Sequence, residues 1–90
     1  MNVTIIYRPD SEHARSVETF VHDFKQRNVS VDIELMNADD REAIALSGVY
    51  DIMSFPAILA RTNDGQLLKH WAGAQLPLMD EVASYAYGGR

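Results

Sequence analysis

The polarity of the chain changes period several times, and each change marks an element. Residues 3–7, VTIIY, are a short apolar, β-branched run of the kind buried in a sheet. Pro9 and Asp10 punctuate it. From Ser11 the spacing becomes helical: Ala14, Val17, Phe20, Val21 and Phe24 recur on one side. Glu12, Arg15, Glu18, Asp23 and Arg27 fall on the other. Asp10 or Ser11 can cap this helix by accepting a bond from an unpaired backbone N–H. VSVDIELM then alternates Val31, Ile33 and Leu35 with Asp32 and Glu34, the pattern of a half-buried strand. Asn37 or Asp39 starts a second, short helix that carries Ala43, Ile44 and Leu46 and ends near Gly48.

PAILAR, the turn Thr62-Asn63-Asp64-Gly65 and QLLKHW predict a hairpin, because Asp-Gly suits the positive φ of a tight turn. Pro77 fits the first position of a last helix with Leu78, Met79, Val82 and Ala86 on one face. Residues 87–90, YGGR, read as a flexible tail. The order is β-α-β-α-β-β-α over one domain, residues 1–90. The first two strands should be parallel with a right-handed crossover, and the closing hairpin antiparallel. Phe20, Phe24 and Met79 belong to the core by their spacing.

Charge narrows the partners. The net charge is −5, and the eight basic residues are scattered among acids rather than clustered, which argues against nucleic acid. No run approaches the roughly 18 apolar residues of a membrane span. The N-terminus shows no basic region followed by a long apolar stretch, so a cytoplasmic location is expected. There is no cysteine. That removes disulfides, thiolate catalysis, zinc–cysteine sites and iron–sulfur clusters together.

The order of elements and three motifs resemble the thioredoxin and glutaredoxin family. VTIIYRPDSEHA is similar to the opening of glutaredoxins, where a strand, a basic residue and Pro precede Cys-x-x-Cys. YDIMSFPAIL resembles the thioredoxin segment that runs from a helix end through Ser-x-Pro into the third strand. AGA at 72–74 resembles the glycine turn bordering the thioredoxin substrate groove. The resemblance covers nearly the whole chain. It implies an α/β thioredoxin-like fold: a four-stranded mixed sheet flanked by three helices, with a cis bond between Phe55 and Pro56. The extra N-terminal strand and helix of full thioredoxins have no counterpart in this sequence, which is glutaredoxin-sized. The Gly-Gly and acidic pair with which glutaredoxins hold glutathione is also missing.

The resemblance places Ser11, Glu12, His13 and Ala14 at the Cys-x-x-Cys positions. A helix N-terminus favours a nearby anion by at most about 2 kcal/mol, or roughly 1.5 pKa units at 1.36 kcal/mol each. That shift suffices for a thiol near ~8.5 and leaves a hydroxyl far out of range. Disulfide exchange needs a sulfur in any case, so dithiol oxidoreductase activity is excluded. Ser11 and His13, two apart, would not face each other on a helix. His13, His22 and His70 show no ligand spacing. No catalytic residue, metal or cofactor is therefore assigned.

What the resemblance retains is a surface. In the family the residue before the cis-Pro pairs its backbone with an extended ligand, a role that falls on Phe55-Pro56. Met53, Phe55 and Trp71 would form an apolar rim beside Ser11, with Gly73 bordering the groove; Trp71 has the alternative role of closing the core. The leading expectation is a redox-inactive module, or small subunit, that holds a protein or peptide segment. One alternative is an enzyme, or a small-molecule or anion binder, using the helix N-terminus at Ser11. Another is a homodimer or larger homo-oligomer joined through the apolar rim.

Overall fold

The structure, a computed structural model, describes residues 1–73 and 76–87. VTIIY forms the inner part of β1 (Asn2–Tyr7), and every one of its five residues is buried. β1 pairs in parallel with β2 (Asp32–Asn37) and antiparallel with β3 (Ala57–Arg61). β3 continues through the hairpin to β4 (Leu67–Ala72), so the sheet order is β2-β1-β3-β4. Three helices complete the order: α1 (Ala14–Arg27), α2 (Arg41–Val49) and α3 (Met79–Tyr87). The turn is as the Asp-Gly pair requires. Gly65 takes φ 94°, and Thr62 and Gln66 close it with a 2.8 Å backbone bond.

The strand period sorts side chains onto two faces. Val3, Ile5, Tyr7 and Ile58 meet Val17, Phe20 and Phe24 of α1 and Val82 of α3. Phe20 and Phe24 stack with centroids 5.9 Å apart. On the other face Ile6, Met36, Ala57 and Leu59 meet Ala43 of α2. Thr4 is fully buried on this second face. Arg61 Nη2 donates to Thr4 Oγ1 at 3.0 Å, and that hydroxyl donates to Glu34 Oε1 at 3.3 Å.

Several boundaries differ from the sequence reading, each for a local reason. Neither Asp10 nor Ser11 caps α1; the N-cap is His13, which makes no side-chain cap bond. α2 starts at Arg41 rather than beside Asn37 or Asp39, because Asn37 completes β2 and its side chain accepts the Asp39 N–H at 2.9 Å. Pro77 precedes α3 by two residues, and Leu78 points outward, 76% exposed. Ile33 is half-buried and Leu35 exposed, because β2 is an edge strand. Tyr87 ends α3 instead of beginning a tail. The rest of that tail, residues 88–90, together with Ala74 of the AGA motif and the side chain of Ala86, lies outside the described residues.

Candidate functional site

Three loops converge where β1 and β2 end and β3 begins, the edge of a parallel pair at which open α/β sheets commonly bind ligands. The first follows Tyr7. Pro9 lacks an N–H and cannot prolong the strand. The chain turns, and both the Ser11 N–H (3.1 Å) and the Ser11 hydroxyl (2.6 Å) donate to the Arg8 carbonyl. This turn occupies Ser11 and delays α1 to Ala14, whose N–H reaches the Ser11 carbonyl at 3.3 Å. Ala14 is buried beneath the first turn, while Glu12 is exposed. His13 bends back so that its Nε2 accepts the Arg8 N–H at 3.4 Å. The Ser11 hydroxyl is thus bonded to backbone and not to His13, and no nucleophile–base pair forms.

Arg8 joins the three loops. Its Nη1 lies 2.7 Å from Asp39 Oδ1 in the loop after β2. Its guanidinium carbon stands 5.5 Å from the ring centroid of Phe55, in the loop before β3. An exposed ion pair contributes about 0–1 kcal/mol, and an exposed cation–π contact about 0.5–1 kcal/mol. Together they orient the Phe55 ring more than they stabilise the fold. Sequence reasoning missed both Arg8 and Asp39 as members of this cluster. The available signal was a basic residue at a strand's C-terminal end, which names no partner.

The Phe55–Pro56 peptide is cis. Gly73, at φ 116°, donates its N–H to the Pro56 carbonyl at 3.1 Å, one step beyond the Ala57–Ala72 pair of the β3–β4 ladder. A side chain at that φ would be strained, so the glycine is what allows β4 to close on Pro56. The backbone N–H and C=O of Phe55 have no backbone partner among the described residues. Met53, two residues earlier, is 90% exposed. Phe55 packs against the α2-side cluster.

Trp71 stands on β4 opposite Ile58. It packs against the α1/α3-side cluster, meets Tyr85 edge-on at 5.8 Å and directs its Nε1–H toward Glu81 Oε2 at 3.4 Å. It covers the core beside α3, the alternative role read from the sequence, while Met53 is the exposed apolar side chain next to Phe55. Behind the site Tyr7 is buried, and its hydroxyl donates to Glu18 Oε2 at 3.2 Å. Burial first, and then the Glu18 hydrogen bond and charge, raise the Tyr7 pKa above its ordinary value. At the far end of the sheet, the Thr62 hydroxyl holds the exposed Asp64 carboxyl below the usual range.

A mixed sheet in this order, three helices and a Pro-led third strand make this a thioredoxin-like fold, here without a single cysteine. Solved structures agree. Thioredoxin 1 from Thermosipho africanus superposes with a TM-score of 0.68 over 96% of this chain and 90% of its own, at 13% identity. Thioredoxin O2 from Arabidopsis thaliana gives 0.72 over 99% of this chain and 75% of its own, at 8% identity. Mitochondrial thioredoxin 3 from Saccharomyces cerevisiae gives 0.67 over 82% of this chain and 67% of its own, at 18% identity. No protein-family model matches the sequence, and no curated protein does.

Proposed function

We propose that this domain is a redox-inactive thioredoxin-like module that holds an extended protein or peptide segment at the Phe55-Pro56 loop. The observation that carries the reading is the Phe55 backbone, without a backbone partner among the described residues, beside an exposed Met53 and a ring braced by Arg8. A strand laid along this loop would gain main-chain bonds from Phe55 and apolar contact from Met53. Ser11 and Ala14 supply no thiol, so the segment would be bound and released without covalent exchange.

The experiment is selection of extended peptides from a displayed library against the wild-type domain, followed by amide-shift mapping of the selected sequences. Shifts centred on Phe55, Met53 and Gly73 that vanish in Phe55→Asp are expected. Peptides that bind Phe55→Asp as tightly as the parent would overturn the reading.

A further inference from the structure

Among the described residues nothing covers the outer face of α2. Ile44 is 59% and Val49 71% exposed, and Ala45 and Gly48 are exposed between them. A Cβ built on Gly48 would meet nothing within 4 Å. Residues 43–49 carry no charge in a chain of net charge −5, so two copies can approach here without the repulsion that other faces impose.

The order of sizes along this face is palindromic. Ile44-Ala45-Leu46-Ser47-Gly48-Val49 reads large, small, inward, inward, small, large; Leu46 and Ser47 are partly buried toward the sheet. At 100° per residue Ala45 and Gly48 lie along the middle of the outer face, with Val49 and Ile44 as its two walls. Turning a second helix over, antiparallel, about a two-fold axis sets Ile44 of each copy over Gly48 of the other, and Val49 over Ala45. Branched side chains then enter the gaps left by small ones, and the axes can approach to about 8 Å.

One charge pair, flanked by the exposed Asp40 and Glu42, favours the antiparallel direction. Arg41 begins the face and Asp51 follows its end; both are exposed, and neither has an ion-pair partner among the described residues. Antiparallel packing brings Arg41 of one copy to Asp51 of the other. Parallel packing would set Arg41 against Arg41.

We propose that the chain forms an isologous homodimer through antiparallel α2 helices, separate from the Phe55 loop. The patch on each copy lies near or below the roughly 600 Å² per partner at the low end of specific interfaces, so the dimer should be weak and concentration-dependent.

Sedimentation velocity from micromolar to millimolar protein reads the association. Gly48→Gln fills the gap without touching the monomer interior and removes a poor helix former. It should keep or raise the melting temperature while weakening dimerisation at least about tenfold. Ile44→Glu should do the same to dimerisation. The parent has no thiol, so single cysteines report direction. On mild oxidation Arg41→Cys should cross-link to Asp51→Cys in a mixture and not to itself. A parent that stays monomeric at millimolar concentration overturns the proposal. So does a dimer indifferent to Gly48→Gln and Ile44→Glu, or self-cross-linking by Arg41→Cys.

Discussion

Replacing Tyr7 by Phe tests whether the hydroxyl behind the site is held as described. At neutral pH the change deletes one hydrogen bond from a buried phenol to Glu18 at 3.2 Å and leaves the ring in place. A bond to a charged acceptor contributes about 1.5–3 kcal/mol when well formed. This one is long and its acceptor is exposed, so a loss of about 1 kcal/mol is expected. The pH dependence has a definite sign. The folded pKa of Tyr7 is raised, so below the unfolded value near ~10 both states keep the proton and the full contribution is present. Above about 10 the unfolded chain releases its proton first. Stability then falls by up to about 1.4 kcal/mol per pH unit until the folded phenol also ionises. Urea denaturation of parent and Tyr7→Phe between about pH 7 and pH 11 should show the parent ahead at neutral pH, with its advantage shrinking in the alkaline range. Other tyrosines cancel in the difference. A parent–variant gap that stays constant across that range would refute the buried, carboxylate-bonded placement of Tyr7.

Other consequences can be checked in the same way. Phe24→Ala, at a fully buried position stacked on Phe20, should cost about 3–5 kcal/mol. Against the 5–13 kcal/mol or so expected at this length, roughly 0.05–0.15 per residue, that should shift the denaturation midpoint severely. Arg8→Ala should lower stability by less than about 2 kcal/mol but weaken capture of selected peptides, because it frees the Phe55 ring; equilibrium denaturation and binding titration separate the two effects. The double change Ser11→Cys, Ala14→Cys should form an intramolecular disulfide reversibly on mild oxidation, since the Ala14 N–H already bonds the Ser11 carbonyl at 3.3 Å. That variant should reduce insulin weakly where the parent does not, and thiols that never pair would show that these positions are not equivalent to Cys-x-x-Cys.

The sequence was most legible where one force dominates. The buried run of β1, the apolar stripe of α1 and the Asp-Gly turn each follow from a period or a φ requirement, and all three appear as read. Helix starts were less legible, because short polar side chains have competing uses. Ser11 could cap a helix or close a turn on Arg8, and only the turn satisfies its hydroxyl here. Exposure of Ile44 and Leu78 was hidden for another reason: an apolar residue on a helix does not state whether a neighbour covers it. Phe55-Pro56 and Ser11–Ala14 were found through resemblance to a family. The Arg8–Asp39–Phe55 cluster joins three separate loops, and nothing in local pattern connects them.

The row Arg61–Thr4–Glu34 has a bearing on how the chain avoids misassembly. Strands that slip by an odd number of residues turn their side chains over, which the apolar face of β1 already forbids. A slip by two keeps the faces and would pass that test, replacing Thr4 by Ile6 or Asn2 at the centre of the row. With Ile6 there, the half-buried Arg61 would lose the hydroxyl that receives its Nη2, at about 1–3 kcal/mol for a buried donor left unpaired, while the exposed Glu34 carboxylate would turn to water. One hydroxyl in the middle strand therefore discriminates among the alignments that hydrophobicity alone treats as equal. It works as a parity check: oil-and-water patterning rejects the odd errors, and Thr4 the even one that would bring Ile6 into its place.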